Sequence, residues 1–226
     1  MKRIITLIAV LGATAIAQTP TDVVPGIGQT MKQNAQALQQ YSHKRRTEVT
    51  INGQSRGGRV ELVRYINGKM ETTPLETPQH AAGGGRGRGL RGLIASKKRE
   101  EMKEDVEKLT SLMRQYTSLG SDSMRTALAK AEISRTGPEP QADLKAVAKG
   151  IVQPSDTIAF TWSVTNHRPA KIEISTALDG KPVSATVEYA SLPDGPFYAA
   201  HTIVSESRKD LTINIDTFDY SRGDEK

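Results

Sequence analysis

The chain has 226 residues, enough for about one domain with a real buried core. Hydrophobic residues make up 36% of it and aromatics only 4%, which suits a thin sheet-and-helix protein better than a large α/β enzyme with a deep centre. It has no cysteine, which excludes disulfides, thiolate catalysis, thiolate metal sites and lipidation at a lipobox.

The first residues set the compartment. Lys2-Arg3 is a basic start, Ile4 to Ala13 an apolar core too short to span a bilayer comfortably, and Ala15-Ile16-Ala17 a small-x-small cleavage site. Residues 1–17 are therefore expected to be a cleaved signal peptide, with Ala15 and Ala17 read by the peptidase. The mature protein would be periplasmic or secreted. Formal net charge is +6; without Lys2 and Arg3, 29 basic residues face 25 acidic ones, or +4. Basicity of that size favours anionic surfaces without naming a partner.

Residues 18–29 hold two prolines and two glycines and read as a flexible lead. From Thr30 to Tyr41, the spacing of Met31, Ala35, Leu38 and Tyr41 predicts a short helix with one apolar stripe. Thr47, Val49 and Ile51 then alternate with polar neighbours. Asn52-Gly53 and Asn67-Gly68 are hairpin signals, because type I′ turns need positive φ at both central residues. Three antiparallel strands up to about Thr73 follow, with a bulge where the parity of Val60 and Leu62 gives way to that of Val63 and Tyr65.

The stretch 77–92 breaks the order. Its Gly-rich run around Arg86 and Arg88 cannot bury apolar area, so a mobile basic loop is expected. Arg86, Arg88, Arg91, Lys97, Lys98 and Arg99 are six cations with no acid between Gln79 and Arg99. A long amphipathic helix, roughly Leu93 to Tyr116, carries Met102, Val106, Leu109, Met113 and Tyr116 on one face. After Gly120 a third helix is read, capped by Ser121 or Asp122, with Met124, Leu128 and Ala131 as its narrow apolar side. Leu144 to Val152 fits either period. Its alternation of Leu144, Ala146 and Ala148 suits a strand, its alanine and lysine content suits a helix, and the turn at 153–156 tips the reading to a strand.

From Asp156 to Tyr220 five short runs alternate apolar and polar residues between turns. Ile158, Phe160, Trp162 and Val164 share one parity; Ile172, Ile174 and Leu178 repeat the pattern. Val183, Ala185, Val187 and Tyr189 follow, then Leu211, Ile213 and Ile215, while Phe197 to Ser205 alternates less cleanly. Strand side chains alternate faces, so this is a meander with one wet and one greasy face. The expected fold class is α+β: residues 30–226 form one domain, a curved antiparallel sheet of about nine strands (an incomplete barrel) packed against three helices.

Chemistry is sparse. His43, His80, His167 and His201 lie far apart in sequence, with no H-E-x-x-H, no G-x-S-x-G and no Walker loop. No catalytic residue, metal ligand or cofactor is assigned. The Gly/Arg run suits phosphate-bearing partners, since guanidinium pairs with phosphate bidentately. Export takes the chain away from nucleic acid and leaves anionic lipid headgroups, for which Arg86, Arg88 and Arg91 are the candidates.

Several segments carry a resemblance: Gln40-Tyr41 into Arg45-Arg46-Thr47-Glu48-Val49, Glu61-Leu62-Val63-Arg64-Tyr65, and Gly89-Leu90-Arg91-Gly92-Leu93-Ile94. Val187-Glu188-Tyr189 with Leu192-Pro193-Asp194-Gly195, and the ending from Ile213 to Tyr220, belong to the same set. Together they resemble an uncharacterised family of secreted bacterial proteins. In element order the chain is similar to periplasmic lipoprotein carriers (LolA-like), an incomplete barrel closed over by helices around an apolar cavity. That resemblance implies a non-enzymatic monomer holding a lipid or acylated protein between sheet and helices. Phe160, Trp162, Ile172 and Ile174 would form its apolar wall, and an anionic membrane surface would be a second partner. An envelope interaction module with a filled core is the competing reading, and a hydrolase with an undetected site the third.

Overall fold

A computed structural model describes residues 20–76, 90–117, 126, 130–138, 141–193 and 195–223. The order is α1 (Pro20–Leu38), β1 (Tyr41–Ile51), β2 (Gln54–Ile66), β3 (Lys69–Glu76) and α2 (Leu90–Thr117). Then come β4 (Glu132–Thr136), β5 (Asp143–Lys149), β6 (Thr157–Ser163), β7 (Arg168–Leu178), β8 (Lys181–Ser191), β9 (Phe197–Glu206) and β10 (Leu211–Arg222). All ten strands form one antiparallel sheet in the order β3-β2-β1-β10-β9-β8-β7-β6-β5-β4. It is curved and not closed, with β3 and β4 as free edges. The first and last strands of the meander architecture meet in the middle, where β1 pairs with β10.

Local chemistry explains most of the turns. Asn52-Gly53, Asn67-Gly68 and Asp179-Gly180 each hold two positive φ values, 51° and 69°, 52° and 73°, and 51° and 72°. Those are the angles of type I′ hairpins, whose twist matches that of the strands they join. The uneven alternation in β9 has its cause in a bulge in that strand. The β8–β9 register shifts between Glu188 and Tyr189, whose partners are His201 and Ala199, so Ala200 is passed over. The bulge expected midway along β2 is not there: Leu62 and Val63 pair in unbroken register, the break between Val60 and Glu61 passes over Leu75 of β3, and the extra residue of β2 is Arg56, against β1.

Five further expectations are corrected. The lead is not flexible throughout: helix begins at Pro20, because Ile27 is buried against the sheet and that docking outweighs the local Pro and Gly content. The buried side of α1 runs through Ile27, Met31, Asn34 and Leu38, so Ala35 faces out and Tyr41 belongs to β1. The basic loop ends earlier than residue 92, since α2 starts at Leu90. Glu132–Thr136 is a strand, which makes ten strands against the nine expected. Val164 is exposed in the turn after β6 and leaves the Ile158 row.

The described residues contain two long helices. Most of the third, read from Ser121 to Ala131, lies outside them, as do the signal segment with Ala15 and Ala17 and residues 77–89 with Arg86 and Arg88.

Candidate functional site

Cross-strand partners turn the greasy parity of the meander into continuous rows on one face. The first row runs Ala148, Ile158, Ile174, Ala185, Val204, Ile213, Val49 across seven strands. The next runs Ala146, Phe160, Ile172, Val187, Thr202, Ile215, Thr47. A third, shorter row pairs Leu144 with Trp162 and Trp162 with Pro169. Because the side-chain period is two, every one of these points to the side where both helices lie.

The helices divide that face between them. α2 covers the first row: Leu109, Leu112 and Tyr116, flanked by Val106 and Met113, pack on Ile158, Ile174, Val183, Val204, Leu211 and Ile213. A polar lock fixes its end. The Asp156 carboxylate, 1% exposed, accepts the backbone amides of Ile151, Val152 and Gln153, each at 2.8 Å, and the Tyr116 hydroxyl at 2.9 Å. The Tyr116 oxygen also lies 2.8 Å from Thr176 Oγ1, whose proton completes the set. Burial would raise the Asp156 pKa, but the three amides and the tyrosine outweigh it and leave it lowered. Burial, with the Asp156 carboxylate adding to it and Thr176 opposing, pushes the Tyr116 hydroxyl up to about 12. It therefore stays a donor at any ordinary pH.

α1 covers the third row, and more thinly. Ile27 is buried with Leu144, Phe160 and Trp162, and Met31 packs beside them. One turn on, Asn34 donates from Nδ2 to the Phe197 carbonyl at 2.8 Å and accepts the Phe197 amide at 2.8 Å, as a neighbouring strand would. A Cβ added at Gly26 or Gly28 would meet nothing within 4 Å, so this helix is in contact along a narrow line.

Between the two helices lies a strip that neither seals. Ile172, Val187, Thr202 and Ile215 are all only half-buried, and Ile172 touches both apolar clusters. Beside α1 the surface opens into a cleft of about 350 Å³. Its walls are Thr30, Gln33, Asn34 and Ala37 of the helix, Asn166, His167 and Arg168 at the β6–β7 turn, and Ser191, Gly195, Pro196 and Phe197.

The structure thus brings together the four residues expected to form the apolar wall. Phe160, Trp162 and Ile174 are buried and Ile172 is half-buried, and the Phe160 and Trp162 rings stack at 6.2 Å. Of the three arginines, only the backbone of Arg91, in the first turn of α2, is described, and it gives no place for an anion. Ile27 and the Asn34–Phe197 pair were not singled out from the sequence; Met31 was read as part of a helix stripe but not as a partner of Trp162. Leu144 was legible as an alternating residue. Ile27 was hidden among glycines and prolines, and Asn34 is one polar residue in a Gln-rich helix.

Two of the histidines have local partners. His43 stacks on Tyr220 at 4.6 Å, and burial, then the Arg45 charge, lowers its pKa. His201 Nδ1 lies 2.6 Å from Asp216 Oδ1 on adjacent strands, and among the described residues it hydrogen-bonds no serine or threonine. Among the described residues no group of three or more His, Asp or Glu is placed to hold a metal ion.

No protein-family model and no curated protein sequence matches this chain. Among the solved structures similar to it are three from bacteria. A domain assigned to outer membrane lipoprotein sorting from Vibrio parahaemolyticus shares 10% identity over 89% of this chain and 92% of its own, with a TM-score of 0.46. A DUF1329 family protein from Desulfovibrio piger shares 8% over 92% and 95%, with a TM-score of 0.47. A LolA superfamily protein from Nitrosomonas europaea shares 9% over 88% and 94%, with a TM-score of 0.36. These likenesses assign no family, role or ligand to the chain.

Proposed function

We propose that the mature chain is an exported, non-enzymatic protein that holds an apolar group, a lipid or an acyl chain, against the helix-bearing face of its sheet. The observation that carries this reading is the half-buried strip Ile172–Val187–Ile215, open between two helices and continuous with the Phe160–Trp162 floor beneath α1. Covering such a strip gains about 25 cal/mol for each Å² of apolar surface removed from water. α1 is the element that would give way. Its first half contains Pro25, Gly26 and Gly28, and in a helix interior a proline costs about 3 kcal/mol and a glycine about 1 relative to alanine. Docking at Ile27 and Met31 keeps it helical, so a chain that takes their place on Trp162 frees the first half of α1, while the Asn34–Phe197 pair keeps its second half on the sheet.

Trp162 is the sole tryptophan, and its emission reports this floor directly. Titrating the mature protein with a C16 fatty acid should shift that emission and saturate. Trp162→Ala should weaken binding of a lipophilic dye about tenfold; because the ring is 5% exposed, stability should also fall by about 3–5 kcal/mol, and it is the dye that separates the readings. A wild type that binds neither fatty acid nor dye rejects this reading. It would leave an envelope interaction module, for which the exposed Ile66, Met70 and Leu75 near the free β3 edge are the candidate surface.

A further inference from the structure

We infer that the cleft between α1 and the β6–β7 turn is a subsite for the anionic headgroup of an amphiphile whose tail lies on the Trp162 floor. This rests on the apolar-site reading above and adds the class of ligand, a single-chain lipid bearing a phosphate or carboxylate. Three observations place the headgroup there.

The first is adjacency. Pro169 stands opposite Trp162 in the β6–β7 ladder, and Arg168, the next residue, lines the cleft. α1 is the partition between the two: Ile27 and Met31 press on the floor, while Thr30, Gln33, Asn34 and Ala37 face the cleft. A tail that displaces the apolar side of α1 therefore has its polar end at the cleft.

The second is charge. Among the described lining residues the only cationic groups are Arg168 and, when protonated, His167, and none is acidic; Asp194, the sequence neighbour of Gly195, lies outside the described residues. One arm of the Arg168 guanidinium is occupied, with Nη1 donating to the Tyr189 carbonyl at 2.8 Å and to the Pro169 carbonyl at 3.3 Å. These bonds hold the side chain in place, and its other nitrogens make no hydrogen bond within the described residues. A pre-positioned guanidinium with donors to spare is the group that pairs best with a phosphate or carboxylate.

The third is the rest of the lining. Gln33, Asn166 and Ser191 add neutral donors, which suit the remaining oxygens of a headgroup without fixing one structure. At about 350 Å³ the cleft has room for a glycerophosphate and not for a folded partner.

The test compares lysophosphatidylglycerol with the monoacylglycerol of the same chain length, which bears no phosphate, below their micelle concentrations, read by Trp162 emission. The wild type should bind the anionic lipid roughly tenfold more tightly, the size of one charge-assisted hydrogen bond. Arg168→Gln and, separately, His167→Asp should erase that preference and leave the neutral lipid unchanged. His167→Asp guards against a folding artefact: His167 is exposed, its φ of 49° is one that aspartate accepts, and it leaves the Arg168 bonds in place. Equal affinity of the wild type for both lipids, or a preference that survives both variants, overturns the headgroup subsite while the apolar site stands. Failure of either lipid to perturb Trp162 overturns both. Calorimetry with inorganic phosphate closes the remaining route: a free anion bound as tightly as the lysolipid would overturn the amphiphile assignment.

Discussion

The two ends of the helix-bearing face are covered by the same kind of element in opposite ways. At one end α2 is locked: three apolar residues fill the first row, and a buried carboxylate ties Tyr116 to the 151–153 amides. At the other end α1 rests on Ile27, Met31 and one side-chain amide pair. The difference shows how one sheet can be rigid and adaptable at once. A fully satisfied buried polar network fixes a unique arrangement, because every alternative leaves charge unpaired. A thin apolar contact fixes nothing that another apolar group cannot replace.

The comparison breaks most visibly at Asp156. Asp156→Ala should lower stability by about 3–5 kcal/mol in urea melts, since three buried amides and a tyrosine hydroxyl lose their shared acceptor. A loss under about 1 kcal/mol would show that α2 is held by its apolar stripe alone.

At the thin end the expected effect is smaller and local. Asn34→Ala should cost about 1–2 kcal/mol, removing two hydrogen bonds at a half-buried site. Hydrogen exchange should then lose protection in α1 and leave α2 unchanged. Equal loss in both helices would mean that they open as one unit, and the contrast drawn between them would fail.

Acid sharpens the contrast further. The folded pKa of Asp156 lies below its ordinary 3.8, so its contribution is full above that value. It is lost as pH falls through the folded pKa, because the unfolded chain takes up the proton first. Exchange protection over Val106 to Tyr116 should therefore weaken below about pH 4 more steeply than protection in α1. A steeper loss in α1 would reverse the assignment of the lock.

The smallest effect belongs to the opposite face of the sheet. Lys171 and Lys145 both reach Glu173, at 2.9 and 3.2 Å, where all three side chains are more than a third exposed. Glu173→Gln should change stability by no more than about 0.5 kcal/mol, less still in high salt. A larger loss would mean that surface charge, and not the helix-bearing face, decides how firmly the sheet is held.

Much of this protein follows from local chemistry. The three hairpins at Asn52-Gly53, Asn67-Gly68 and Asp179-Gly180 follow from residues that accept positive φ, and the strands around them from a period of two. The α2 stripe and the parity that puts Phe160, Trp162, Ile172 and Ile174 on one face were legible for the same reason. Other features needed the assembled fold. Residues 20–29 read as coil because Pro25, Gly26 and Gly28 disfavour a helix, yet burial of Ile27 on a strand more than a hundred residues away makes one. Glu132–Thr136 has too little pattern to announce a strand and becomes one by pairing along Asp143–Lys149. Nothing near Asp156 in sequence points to Tyr116 or Thr176, and nothing near Asn34 to Phe197. Periodicity and turn chemistry act over a few residues, so the chain itself could state its strands and its greasy face. Which helix is locked over that face, and which merely rests there, depends on contacts far apart in the chain, Tyr116 with Asp156 and Thr176 and Asn34 with Phe197, that only the assembled sheet makes.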